Sequence, residues 1–239
     1  RLGTDNITVL DPRQRFGLVR QYSTGPGSNP RSMAFVSDDE AWITLYERNH
    51  ISVRNPVTGA ETAQVNLSDT MFPDHAVHPD DDGLLEIDGA LFLDGKVYVS
   101  VQRLNRGIAV PGVWGPLGKS YLAVFDAATR APDGVVELPY GNPSVGPVYD
   151  AGLGRILVAC PGTLHEDAWP EDIGGGLVAV DPVTRTCEVP VEEYDDGTDA
   201  LVNSNGYNGN LGDLADVAAT KGYLMLLDAA ASTSVHGFN

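Results

Sequence analysis

The densest set of potential ligand atoms in the chain lies in residues 69–88, DTMFPDHAVHPDDDGLLEID. This stretch holds seven acids (Asp69, Asp74, Asp80, Asp81, Asp82, Glu86 and Asp88) and neither Lys nor Arg. Calcium takes roughly six to eight oxygens at about 2.3–2.6 Å, which closely spaced carboxylates can supply. Asp80, Asp82 and Glu86 are the candidate calcium ligands on that ground. An EF-hand register fails, however. Placing Gly83 at the turn glycine puts His78 first and Gly89 twelfth, where acids are required. His75 and His78, with Asp74 beside them, offer a transition-metal set that lacks a third imidazole. A solvated acidic loop or a run of N-capping acids explains the same residues without any ion.

Two further segments could bind something. Residues 162–175, GTLHEDAWPEDIGG, put Trp169 among His165, Glu166, Asp167, Glu171 and Asp172. An indole ring beside acids suits a sugar or a cationic group. Residues 107–117, GIAVPGVWGPL, are apolar and carry Trp114. Trp114 and Trp169 therefore mark two candidate interaction loops, with packing of one loop on the other as the plainer reading. NSNGYNGNLG (203–212) reads as tight turns, since Asn and Gly tolerate positive φ. The chain carries no GxSxG, HExxH or Walker A pattern, so sequence assigns no catalytic residue.

These segments interrupt a repeat, and the repeat must position them. NITVLDPRQR (6–15), HISVRNPVTG (50–59), YLAVFDAATR (121–130) and GLVAVDPVTR (176–185) share an apolar run, an Asp or Asn, a Pro or Ala, and a turn. STSVHGFN (232–239) is a degenerate fifth copy. Ile7, Ile51, Leu122, Leu177 and Thr233 fall in register, at spacings of 44, 71, 55 and 56 residues. A unit repeated with variable insertions signals a repeat architecture.

Residues 29–68 show what one unit holds. NPRSMAFV, AWITLYE, HISVRN and ETAQVNL are short strand-like runs separated by turn residues. Four antiparallel strands in about forty residues make one blade of a β-propeller. The approximate blades are 1–27 (partial), 28–68, 69–140 and 141–199 with insertions, and 200–239 (partial), all within a single domain over 1–239. An open arc of about four blades' worth, cut from a ring of six to eight, fits the strand count. A closed four-bladed ring is the alternative, with LADVAAT and YLMLLDAA joining ITVLD and GLVRQY.

Composition narrows the function. The chain has 239 residues, 42% hydrophobic and 20% charged, with a net charge of −18. Phosphate binding needs clustered Lys and Arg, so nucleic acid is excluded as a partner. No apolar stretch is long enough to cross a bilayer as a helix. The chain opens at Arg1 without a signal-like segment, which suggests processing or a longer parent polypeptide. Cys160 ends one expected strand and Cys187 begins another two places away in the same sheet. They should lie at opposite ends, beyond disulfide reach.

The turn-bearing repeat resembles the Tyr-Val-Thr-Asn family of bacterial surface and periplasmic β-propellers. DDDGLLEIDGALFLDGKVYVSVQRLNR (80–106) and GKSYLAVFDAATR (118–130) resemble propeller lipoproteins of myxobacteria more tightly. Leu85 stands where a Pro is expected there, and YVSVQRL replaces YVALQRL. The resemblance implies an exported, often lipid-anchored propeller without catalytic activity, found in the periplasm, on the outer-membrane surface or outside the cell. Such a protein would act as a binding or scaffold module for a protein or a cell-surface polymer. It would touch the membrane only through a lipid anchor outside this chain, and the acidic segment, apart from the resemblance, adds calcium as a candidate stabilising ion. The alternatives are a metal-dependent, lactonase-like hydrolase with an ion in the central channel, and a structural subunit whose edges pair with another chain.

Overall fold

The computed structural model describes residues 5–80, 82–106, 113–115, 118–162, 164–165, 175–192, 210–218, 221–227 and 233–238. It is all-β apart from two single 3₁₀ turns, Pro12–Gln14 and Asp69–Met71. Strands β1 (Asn6–Asp11) and β2 (Gly17–Ser23) pair alone. Strands β3 (Pro30–Ser37), β4 (Glu40–Leu45), β5 (His50–Arg54) and β6 (Glu61–Asn66) form a four-stranded antiparallel sheet in chain order. The next sheet is β7 (Ile87–Leu93), β8 (Lys96–Val101), β10 (Tyr121–Asp126) and β11 (Pro132–Glu137), with the two-residue β9 (Val113–Trp114) inserted after β8. The third is β12 (Val145–Asp150), β13 (Arg155–Cys160), β15 (Gly176–Val180) and β16 (Cys187–Glu192), with β14 (Leu164–His165) inserted after β13. A three-stranded sheet of β17 (Asn210–Ala218), β18 (Lys221–Leu227) and β19 (Thr233–Phe238) follows.

The sheets stack radially. First strands run beside one another in succession: β3 along β7, β7 along β12, β12 along β17. One core lies between the first two complete sheets, joining Trp42, Ile51 and Val53 to Val97, Val99, Tyr121 and Phe125. The opposite face of the β7–β11 sheet supplies Tyr98, Leu122 and Val124 to a second core with Ile156, Val158, Val178 and Val180. A middle sheet must therefore hide both faces. The same holds in the preceding sheet, where Ala41, Trp42, Ile43, Thr44 and Leu45 of β4 are all buried and no inside–outside alternation marks the strand.

The narrow, inner end of the stack needs close approach. A Cβ on Gly89 of β7 would overlap Gly146 Cα and Pro147 of β12, so the two inner strands meet backbone to backbone. The outcome is an arc of propeller blades. β19 takes the third place beside β18, so β1–β2 does not complete that sheet and the four-bladed ring is not formed. Residues 210–212, read from sequence as turn, begin β17 instead. The register places Cys160 opposite Gly176 and Cys187 opposite Val180, at opposite ends of β15, and no disulfide joins them.

Candidate functional site

Two kinds of connection meet at one end of the sheets. One leads from a fourth strand to the next first strand, the other from a second to a third strand. Backbone hydrogen bonds tie them together in every complete blade: Tyr46 N–H to Asn29 O at 3.0 Å, Gln102 N–H to Glu86 O at 3.3 Å, and Gly162 N–H to Gly141 O at 3.1 Å. The acidic segment, β9 and β14 belong to these two classes, so among the described residues they share a face. β9 and β14 pair across it, Trp114 opposite Leu164 and Val113 opposite His165. Loops set on a rigid scaffold are where binding groups usually sit.

Arg103, fully buried, organises the first half of the acidic segment. Its Nε donates to Asp69 Oδ1 at 3.0 Å, and its Nη1 reaches Asp74 Oδ1. Its Nη2 donates to His78 O at 2.6 Å. The guanidinium also lies over Phe72 and Tyr121, at 5.2 and 5.7 Å from the ring centroids. Burial raises the Asp74 pKa, but the Lys119 N–H, the Tyr121 hydroxyl and Arg103 outweigh it, so the carboxylate sits below its usual range. Burial and the Asp74 charge push the Tyr121 phenol up in turn.

Nearer the inner strands lies a second polar group. Arg31 grips Asp88 with two hydrogen bonds of 3.2 Å. Gln102 donates to Asp88 Oδ2 at 2.8 Å and accepts from the Tyr46 hydroxyl at 2.8 Å. Arg31 and Arg106 stand 5.1 and 5.8 Å from the Tyr46 ring centroid. Arg106 grips Glu47 at 3.0 and 2.8 Å. Burial raises the Asp88 pKa against the pull of Arg31 and Gln102. Burial, then the charges of Glu86 and Asp88, push the Tyr46 phenol up.

Glu86 is the most perturbed acid among the described residues. It is fully buried and left-handed, φ 46°, at the position just before a first strand. Asn29 and Asn142, φ 47° and 58°, precede two other first strands. Glu86 Oε2 accepts from Leu104 N–H at 2.7 Å, while Oε1 has no hydrogen bond and faces Arg106 Nη1 at 3.7 Å. Burial, reinforced by Asp82 and Asp80, pushes its carboxyl up to about 8 against the Leu104 N–H and Arg106.

Of the sequence candidates, Asp82 and Glu86 are brought together, each 3.7 Å from the same Arg106 nitrogen. Asp82 Oδ1 caps Leu84 N–H at 2.8 Å, and Asp80 Oδ1 accepts from Asp82 N–H at 3.4 Å. Among the described residues, no three His, Cys, Asp or Glu gather in a way that could hold a metal ion. His75 Nδ1 lies 2.8 Å from Phe72 O. Asp81 and Trp169, with Glu166, Asp167, Glu171 and Asp172, lie outside the described residues, and only the backbone of Trp114 is described. Sequence reading passed over Arg31, Tyr46, Gln102, Arg103 and Arg106. The signal for the last two was QRLNR (102–106), the first arginines after an acidic stretch that has neither Lys nor Arg of its own.

No protein-family model matches the chain, and no curated protein does. Solved structures do match. Hydrazine synthase of Kuenenia stuttgartiensis aligns with 98% of this chain and 59% of its own, at 11% identity and a TM-score of 0.58. The Dos1 propeller aligns over 98% and 50%, at 11% identity and 0.58. The β-propeller domain of Cps50 (Swd1) from Myceliophteria thermophila aligns over 98% and 65%, at 10% identity and 0.50. The chain thus spans between half and two thirds of the lengths of these structures. At such identity the likeness shows the fold: an arc of a β-propeller.

Proposed function

We propose that the chain is a non-enzymatic binding module whose loop-bearing face takes a protein or a cell-surface polymer. The observation that carries this reading is the meeting of the acidic segment with β9 and β14 on one face, where β9 and β14 lace two insertions together. Export to the periplasm, the outer-membrane surface or the exterior is part of the proposal. Its support is the acidity and the resemblance to surface propellers of the Tyr-Val-Thr-Asn type and to myxobacterial lipoproteins, with any lipid anchor outside this chain. The test replaces residues 107–117 and 162–175 with short turns and measures binding to bacterial envelope fractions. A Val183→Asp variant, altered in an exposed turn at the opposite ends of the strands, is the control. Binding lost in the loop replacements and kept in the control supports the reading; binding indifferent to the loops overturns it.

Calcium is a finer part of the proposal. An ion on Asp80, Asp82 and Glu86 competes with Arg106, which already faces two of them. A ligand bound only by the native state raises the melting midpoint. A midpoint that climbs with calcium but not magnesium supports the ion; an unchanged one leaves Arg106 as the cation these acids answer to. A lactonase-like hydrolase is the second reading. What favours it is the set Asn29, Glu86 and Asn142 at matching positions before three inner strands. Calcium-dependent ester hydrolysis abolished by Glu86→Gln is its test.

A further inference from the structure

One nitrogen on the loop-bearing face is surrounded by three acids. Arg106 Nη1 lies 3.0 Å from Glu47 Oε2, 3.7 Å from Asp82 Oδ2 and 3.7 Å from Glu86 Oε1. Glu47 follows β4, Asp82 and Glu86 precede β7, and Arg106 follows β8, so three separate connections build the pocket. The guanidinium answers these acids unequally. Its two terminal nitrogens fork onto Glu47 at 3.0 and 2.8 Å. The approaches to Asp82 and Glu86 are too long for hydrogen bonds. Glu86 is 0% exposed, and its Oε1 is left with no hydrogen bond at all. A buried acceptor in that state is disfavoured, so the pocket has more to offer a cation than Arg106 takes.

The pocket suits a guanidinium better than a metal ion. A planar fork of N–H donors matches a carboxylate edge to edge, as it does on Glu47. The Tyr46 ring, 5.8 Å from the Arg106 guanidinium carbon, adds an aromatic wall that favours a cation. No three His, Cys, Asp or Glu among the described residues gather closely enough to hold a metal. Arg106 is also awkwardly held. Its backbone is left-handed, φ 51°, which is disfavoured for a long side chain and limits how its guanidinium can be aimed.

We infer that Glu47, Asp82 and Glu86 form a pocket for an arginine side chain of a protein partner, and that Arg106 fills it as an internal stand-in. This role rests on the face being a protein-binding surface, and it narrows the partner to one that presents an exposed arginine. An incoming guanidinium is free of the left-handed backbone that fixes Arg106. It can fork onto Glu47 and donate to Glu86 Oε1 as well. The stand-in is tethered, so it competes at high effective concentration and admits only a partner that makes further contacts on the face. Its withdrawal reaches the neighbouring loop, whose base is closed by Asn105 N–H on Gly115 O at 2.8 Å, one residue before Arg106. The net charge of −18 draws cationic partners towards the chain.

The probe is the short peptide Gly-Ser-Gly-Arg-Gly-Ser-Gly, titrated into the whole chain and followed by the amide chemical shifts of Glu47 and Glu86. Removing the stand-in gives the diagnostic result. Arg106→Ala should bind the peptide at least about tenfold more tightly than the parent, because an intramolecular competitor is gone. Adding Glu47→Gln to that variant should undo the gain, and a peptide with citrulline in place of arginine should bind neither form. Methylguanidinium should raise the melting midpoint of Arg106→Ala, since it binds the vacated pocket of the folded state alone. Circular dichroism checks that the variant is folded, and Arg106→Gln takes its place if it is not. An affinity no higher than the parent's overturns the inference, for Arg106 is then only a strut between two sheets. A midpoint raised by calcium and not by methylguanidinium overturns it too, for the acids then form an ion site. Envelope binding that depends on the loops, with no gain on removing Arg106, sinks the pocket alone. A gain with envelope binding indifferent to the loops keeps the pocket and sinks the wider reading of the face.

Discussion

Glu86 carries two costs at once. A left-handed backbone is disfavoured for a residue with a long side chain, and a buried carboxyl loses its hydration. The first cost is shared with Asn29 and Asn142, whose short side chains tolerate it better. The second sets a pH dependence. The ordinary value of the carboxyl is 4.5 and its folded value about 8. Between those limits the unfolded chain releases a proton that the fold keeps, so the Glu86 contribution to stability is greatest below about pH 4.5, falls as pH rises, and levels off above about pH 8. Glu86→Gln keeps an acceptor for the Leu104 N–H and removes the proton. Urea denaturation should find the variant and the parent similar near pH 5 and the variant more stable at pH 9, by on the order of 1–3 kcal/mol. A parallel pair of curves would refute the assignment. Arg103 presents the opposite case, a buried cation with two carboxylates. Arg103→Met should cost about 3–5 kcal/mol at pH 7, because Asp69 and Asp74 lose their counter-ion together. The loss should shrink in acid, where Asp74 becomes protonated and its depressed pKa no longer stabilises the fold.

Each repeat turn does more than reverse the chain. Asn55, Asp126 and Asp181 cap it in the same way, accepting from Thr58, Thr129 and Thr184 N–H at 2.8, 2.9 and 2.9 Å. Its last residue is left-handed each time: Gly59, Arg130 and Arg185, φ 79°, 60° and 60°. That residue reaches back to the preceding sheet. Gly59 lies against the Tyr22 ring, Arg130 donates to Glu40 Oε2 at 2.6 Å, and Arg185 reaches the Asp133 carboxylate and carbonyl. The turn and its cap were legible in NPVTG, DAATR and DPVTR, because Asx capping is local. The backward clasp was not, because it joins residues 37 or more positions apart whose nearness only the stack creates. The same reason hid the role of QRLNR and the register of the β9–β14 pairing, though not the meeting of the two loops. Gly59→Ala should cost about 1–2 kcal/mol, since it adds a Cβ to a left-handed residue and drives it into Tyr22. Gly89→Ala should cost more, about 3 kcal/mol, because the obstacle there is the β12 backbone, which cannot rotate away as a side chain can. Thermal melting of the pair ranks them, and equal losses would mean that β7 and β12 separate freely.

At the scale of the molecule, stability is a property of neighbours. The repeat, its strand order and the arc were legible because each apolar run recurs in register; which faces were hidden was not, since alternation within one strand cannot show that a sheet is covered on both sides. A sheet flanked on both sides buries two faces, and a flanking sheet at the end of the described arc buries one. In such an array local opening costs what the opened unit loses to its neighbours, so protection against amide exchange should follow position in the stack and not strand propensity. β8 and β10 lie between two cores and are buried along nearly their whole length. β1 and β2 hold no buried residue at all. Native-state exchange should therefore find β8 and β10 slowest, β4 and β13 next, and β1–β2 fastest, by several orders of magnitude end to end. Trp42→Ala tests the coupling behind this order. It empties the core shared by the first two complete sheets and should cost about 3–5 kcal/mol. The faster exchange it causes should appear in β8 and β10 across the interface as well as in its own sheet. Acceleration confined to β3–β6 would mean that the sheets are stable singly, and that the radial stack is not what holds this chain together.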